Sequence, residues 1–248
     1  MKLKWEIRQH RKKILIIFAL MLCVAVFVIL YYPYYLNMVE SGFIETQPES
    51  YQREFQMQRD FDYFLTSNWF DKNLFQFTGI LAILLAIGAV TEDRKNNLLS
   101  IYISRYGRCK YFIRKLINHL IILFVSGYAA TILLAIFSQI QGHSIHYLRL
   151  NLSYLMSFVR MAFIYGIGLL ASSISRNRFL TGTIGFVSVT VILYLTPDLF
   201  NVFSYMNISS YYTGSVFPVQ GFIITTLLSV ILYMLYYLIF RRMELNIK

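Results

Sequence analysis

The chain has 248 residues, of which 57% are hydrophobic and 14% charged, against roughly 25% charged in a soluble domain. So few charges cannot cover a water-soluble core, and the apolar residues come in long blocks rather than in period-2 or period-3.6 stripes, which points to lipid as the solvent. The blocks are also far longer than the roughly ten-residue alternating segments of an outer-membrane barrel, so helices rather than strands are expected.

The first block runs from Ile14 to about Tyr35 behind a basic leader, Met1 to Lys13. A basic start and an apolar run also describe a secretory signal peptide, but this run is about twenty residues long and no small-x-small site follows it. It is read as a retained anchor helix that leaves the membrane at Tyr31-Tyr32-Pro33-Tyr34-Tyr35, an interfacial aromatic belt. The leader, with Trp5 and Ile7 among its cations, is either an interfacial amphipathic helix or a charged topology anchor. An acidic outer loop, Asn37 to Asn73, carries Glu40, Glu45, Glu49, Glu54, Asp60, Asp62 and Asp71.

Further helices are expected at Leu74 to about Thr91, Leu116 to about Ser138, Leu152 to Ser172, Phe179 to Thr196 and Val219 to Phe240. Each is close to the roughly 17 to 25 residues that span the hydrocarbon. Pro197 to Pro218 is uncharged except for Asp198 and rich in aromatics. Too apolar for an exposed loop and too broken to span, it is expected to lie in the outer interface, or to dip into it and return as a re-entrant segment. The reading is an all-α polytopic membrane bundle of about six transmembrane helices, a single domain over residues 1–248.

Lys and Arg orient the bundle. Eighteen of them lie in the leader, in Glu92 to Lys115, in the turn Ser173 to Arg178 and at the C-terminus; the opposite side holds Arg53, Arg59, Lys72 and Arg149. The positive-inside rule puts both termini in the cytoplasm. The net charge of +11 then reads as a topology signal facing anionic lipid, not as a nucleic-acid footprint.

Catalytic motifs are missing. There is no Gly-Lys pair and so no Walker-type phosphate loop, no His-Glu-x-x-His, no Gly-x-Ser-x-Gly, and no carboxylate pair inside the helices drawn above. ATP hydrolysis by this chain is not expected, nor a metal or cofactor site. Cys23 and Cys109 should sit at different depths, unbridged, and His143-x-x-His146 is read as a surface loop because no Cys or carboxylate flanks it closely. Ala162, Gly166, Gly182, Gly185 and Ser188 are small enough to let helices approach. His119 is expected at the interface. Arg160 is the one ionisable side chain well inside a predicted helix, and three readings stay open: a translocation path or polar network, outward snorkelling, or a fourth helix that starts later.

The most informative stretch is Glu92 to Lys115, with an acidic start, an apolar centre from Leu98 to Ile103 and a basic finish. By charge alone it is either a plain positive-inside loop or a short amphipathic element along the cytoplasmic interface. Its residue order resembles the first cytoplasmic loop of type-2 ABC (ATP-binding cassette) transporter permeases. In that family an acidic pair opens the loop, Leu-rich residues lead into Tyr-x-Ser-Arg, and Arg-x-x-Tyr-x-x-x-Lys enters the third helix. Here these are Glu92-Asp93-Arg94, Tyr102-Ile103-Ser104-Arg105, and Arg108-Cys109-Lys110-Tyr111 with Lys115. Tyr106 stands where the family usually has Pro, and Arg114 where it often has Gly.

The resemblance implies a coupling helix that docks on a separate ATPase subunit through Glu92, Asp93, Arg94, Arg105 and Arg108. It implies a homo- or heterodimer of permease subunits with two ATPases, ATP and Mg on those partners and none on this chain, and a bacterial plasma membrane. Export of a cargo would follow; the mostly aromatic and aliphatic helix walls suit amphipathic or apolar cargo (peptide, lipid or drug), and Arg160, by its place inside a helix, is the candidate for the translocation path. The alternative is a membrane sensor or accessory subunit that binds a ligand or partner through the outer loop without transporting.

Overall fold

Where no water is at hand, an apolar run can satisfy its own peptide groups only as a helix. In the computed structural model the described residues are 3–41, 48, 52, 55–95, 98–174, 178–190, 206 and 208–242, and every regular element among them is helical. These are α1 (Leu3–Glu40), α2 (Phe61–Thr66), a π-helical segment (Ser67–Asn73), α3 (Leu74–Lys95), α4 (Leu98–Tyr106), α5 (Arg108–Ile140), α6 (Tyr147–Ile174), α7 (Arg178–Thr190), α8 (Ile208–Tyr212) and α9 (Val219–Arg242). The expectations for the side chains of Trp5, Glu92, Asp93 and Arg94, for the turn at 175–177, and for 191–205 lie outside the described residues.

Five stretches among the described residues are long and apolar enough to cross a membrane: His10–Met38, Phe61–Ile87, Arg108–Ile140, Tyr147–Ser173 and Val219–Arg242. The chain is therefore compatible with a multi-pass membrane protein. The helix expected from Phe179 to Thr196 is described only as α7, whose 13 residues fall short of a span.

Several boundaries differ from the sequence reading, among them the start of α6 at Tyr147 rather than Leu152, and three of them reposition functional residues. The basic leader is not a separate piece, because α1 runs unbroken from Leu3. The second span begins at Phe61 rather than Leu74, which removes Asp62 and Asp71 from the outer loop. Asp60 starts it: its carboxylate accepts from the backbone N–H of Asp62 (2.8 Å) and Tyr63 (3.2 Å). The polar residues that follow bond back into the helix, Thr66 Oγ1 to Asp62 O (2.7 Å) and Asn68 Nδ2 to Phe64 O (2.9 Å), so a loop-like composition is satisfied in a helical backbone. α5 begins at Arg108 rather than Leu116, because Gly107, at φ +76°, turns the chain directly from α4 into it.

The tyrosine belt is divided. Tyr34 is exposed, but Tyr32 and Tyr35 turn inward and donate to Arg59 O (2.6 Å) and Phe55 O (3.1 Å), pinning the chain ahead of α2 to α1. The His143 ring stacks on Phe61 with 3.6 Å between centroids.

Helix ends sort into two layers. At one end, His10 of α1 meets His119 of α5 edge-on at 5.4 Å, and Tyr111 and Phe112 of α5 pack on Phe240 of α9. Thus the starts of α1 and α5 and the end of α9 share that end, which also carries α4. At the other end, α8 lies beside the start of α6, since Arg149 Nη1 donates to Tyr212 O (2.9 Å). Phe217, just before α9, packs on Tyr211 of α8, so α9 also starts there.

α6 is central, packing most extensively on α3 and then on α9 and α7. Small residues bring these helices together. A Cβ on Gly168 would sit 2.8 Å from the Ala86 Cβ of α3, and one on Gly166 would sit 3.0 Å from the Leu232 Cβ of α9. Gly182 and Gly185 of α7 face Ile87 and Ile83 of α3. Because the Ala86 Cβ cannot rotate away, Gly168→Val should destabilise the bundle by about 1–3 kcal/mol. Gly182→Ala, which meets only the terminal Ile87 Cδ1 methyl at 3.3 Å, should be nearly neutral. Thermal unfolding of both variants in detergent checks the contrast.

Candidate functional site

The second candidate span does something unusual seven residues after its cap: over Ser67–Asn73 it widens into a π-helix, in which the Leu74 N–H bonds to Trp69 O. Widening displaces carbonyls from their usual partners, and side-chain amides fill in, with Asn73 Nδ2 donating to Asn68 O (2.7 Å). The wider turn also lets two consecutive large residues face inward, since Trp69 and Phe70 are both fully buried. Trp69 Nε1 donates to Thr131 Oγ1 of α5 (3.0 Å), which fixes the segment laterally.

Asp71 occupies the same segment. Its Oδ1 accepts from Arg160 Nη1 at 2.9 Å, and Ser209 Oγ of α8 donates to its Oδ2. The other guanidinium nitrogen, Arg160 Nη2, donates to Met206 O. Four positions from three parts of the chain thus meet at one charge pair, about midway along α6. The Arg160 side chain is 7% exposed and that of Asp71 30%, so the pair is closed on the cationic side and partly open on the anionic one.

This decides among the readings of Arg160. The guanidinium neither snorkels outward nor sits ahead of the helix, because α6 begins at Tyr147 and the side chain points into the bundle. A cation in an apolar bundle needs a counter-charge and acceptors; Asp71 supplies the charge, the Met206 carbonyl a second acceptor, and Ser209 a donor to the Asp71 carboxylate. Asp71 was missed as its partner because the helix was drawn from Leu74. The available signal was Arg160 itself, a cation midway along an apolar helix that calls for an acid at matching height.

The described part of the aromatic segment before α9 is packed against the bundle. Met206, Ile208 and Tyr212 are fully buried, and α8 packs on α6, α2 and the π-helical segment. Burial first, and the nearby Asp62 charge second, push the Tyr212 hydroxyl up to about 12, so it stays neutral at physiological pH.

At the opposite end lies α4. Leu99 is buried, Tyr102 stacks on Tyr111 at 6.3 Å, and Ile101, Ser104 and Arg105 are exposed. Tyr111 of α5 also donates to Ala89 O of α3 (3.1 Å), which ties together the two helices that flank α4, and α4 packs on both. Tyr106 and Arg114, the two departures from the resembled loop pattern, touch each other: the Arg114 guanidinium lies over the Tyr106 ring at 5.0 Å, with Arg105 at 5.5 Å. Arg108 Nη1 donates to the Arg241 carbonyl in the last turn of α9, a cation on a helix C-terminus. Of the five expected docking residues, Arg105 is exposed and Arg108 is engaged within the chain; Glu92, Asp93 and Arg94 belong to the last turn of α3.

His119, expected at the interface, is fully buried, with Nδ1 at 2.8 Å from the Tyr165 hydroxyl of α6. Among the described residues no group of three or more His, Cys, Asp or Glu could hold a metal ion.

Comparison with family models, curated proteins and solved structures returned no match.

Removing one member of a buried pair strands the other. Arg160→Met and Asp71→Leu should each destabilise by about 3 kcal/mol, the low end for buried pairs because Asp71 is partly open. The double variant should recover most of that loss. A double-mutant cycle on unfolding in detergent reads the coupling, and additive losses would mean that the pair does not act as a unit.

Proposed function

We propose that the chain is the membrane-spanning permease subunit of an ATP-driven transporter, exporting amphipathic or apolar cargo and worked by a separate ATPase subunit. The observation that carries this reading is α4. It is a short helix with exposed Arg105, inserted between two candidate spans at the end of the bundle where α1 starts and α9 finishes. In this reading that end is cytoplasmic and the chain crosses six times. Two facts support the sixth crossing: basic residues crowd that end, and the chain must pass from the end of α6 to the opposite layer, where α9 starts.

The mechanism follows from rigid coupling. An ATPase pair that closes on ATP displaces α4, which packs on α3 and α5, with Tyr102 stacked on Tyr111 of α5 and Tyr111 in turn bonded to Ala89 O of α3. α3 continues into the π-helical segment, so a push at its inner end reaches Asp71 and the Arg160 network. That network supplies an element with two arrangements, paired and separated, whose balance the motor shifts. Arg160 then stands on or beside the cargo path between two permease subunits.

A second reading, a sensor or accessory subunit, is favoured by the Ser209–Asp71–Arg160 contacts, which tie the outer α8 to two spans and would carry a binding event inward. Reconstitution separates the two. For a permease, vesicles holding the chain and its co-purified ATPase should move cargo on ATP, and charge reversal by Glu92→Lys with Arg105→Glu should abolish that movement. Unimpaired transport by the reversed variant, or purification from the native membrane without any ATPase, sinks the permease reading. Topology has its own check: a membrane-impermeant maleimide should reach the exposed Cys109 only from the cytoplasmic side.

A further inference from the structure

Away from the ion pair, α1 and α5 run side by side in the same direction and leave a groove between their outward faces. Its volume is about 320 Å³, within the roughly 300–1,000 Å³ of ordinary small-molecule sites. Ile14, Leu15 and Phe18 of α1 face Ile121, Val125 and Ala129 of α5 across it, and Ile7 closes its inner end. Ser126, the polar residue in the lining, donates its hydroxyl to Leu123 O (3.2 Å), so the wall offers hydrocarbon. From Ile7 to Phe18 the groove runs about 16 Å along the helix axis, at about 1.5 Å per residue. It is long and narrow, and open along one side.

The helical register places cations at its inner end. Arg11 lies on the stripe formed by Ile7, Ile14, Leu15 and Phe18, and Arg8 is seven residues before Leu15. On α5, Arg114 is seven residues before Ile121. Arg8 and Arg11 are exposed, while Arg114 is half-buried over Tyr106. A greasy slot with guanidinium groups at its inner mouth matches a molecule with an apolar tail and an anionic head.

We propose that this groove is a binding site for an anionic phospholipid of the inner leaflet, its acyl chain lying between α1 and α5 and its phosphate on Arg8 and Arg11, with Arg114 adjoining. The lipid is a resident ligand rather than cargo. The site rests on the multi-pass reading but not on transport. A second copy of the chain is a poorer occupant, because a two-fold axis along the membrane normal would bring the same basic ends together at the same depth.

The test reconstitutes the full chain in nanodiscs of mixed phosphatidylcholine and phosphatidylglycerol, releases it, and counts retained lipids by native mass spectrometry. The wild type should keep phosphatidylglycerol in preference to phosphatidylcholine. Arg8→Gln and Arg11→Gln, at exposed positions, should each lower that preference roughly fivefold. Val125→Trp, which fills the groove, should lose bound lipid of both kinds while keeping its thermal transition. Equal retention of the two lipids by the wild type overturns the proposal, as does undiminished phosphatidylglycerol on Val125→Trp. A dimer that Val125→Trp dissociates with its lipid count unchanged assigns the groove to a second copy and also overturns it. Failure of the chain to enter the discs removes the multi-pass reading and the site with it.

Discussion

A guanidinium halfway along an apolar helix must find a counter-charge, and the arrangement of this bundle follows from how Arg160 finds Asp71. The acid is carried by the second candidate span, where the backbone opens into a π-helix and lets Trp69, Phe70 and Asp71 all take part in the interior. The pair still has lone pairs and protons to satisfy, and Ser209 of α8 and the Met206 carbonyl just before that helix come inward to do it. Without the charge pair, burying that polar turn against α6 would carry a desolvation penalty with nothing to offset it.

Both ends of the bundle are tied by side chains that reach backbone carbonyls, Tyr111 and Arg108 doing so at the α4 end, and they differ in what surrounds those ties. At one end Tyr32, Tyr35 and Arg149 each donate to a carbonyl of a neighbouring segment. The other is an aromatic and cationic cluster, in which Tyr102, Tyr111 and Phe240 stack while Arg105 and Arg114 lie on Tyr106. α3 joins the two without a break from its junction with the π-helical segment to Lys95. A helix anchored at one end in a charge network and followed at the other by the short α4 can transmit a displacement, which is why the permease reading assigns the two sites a common role.

Much was legible because a long apolar block with few charges is marked by its own local composition. The sixth block, Val219 to Phe240, agrees with α9 to within two residues, since nothing but apolar residues and a closing Arg pair were needed to mark it. The short apolar centre Leu98 to Ile103 lies within α4. Gly166, Gly182 and Gly185, singled out for their size alone, do face neighbouring helices closely. The start of the second span escaped because Asp62, Thr66, Ser67, Asn68 and Asp71 look like loop residues until their partners are known. Their hydrogen bonds run to carbonyls of their own helix or to another helix entirely, and neither is visible in residue order.

By itself the sequence determined that these segments are helices, how many residues each has for crossing a bilayer, and which loops are basic, because hydrophobicity and charge are properties of a local window. It also exposed Arg160 as a charge in need of an explanation. Only the tertiary structure decided what answers it. The acid lies 89 residues away along the chain, and the contact forms because a π-turn, a central helix and a short inward helix converge, which no local window contains.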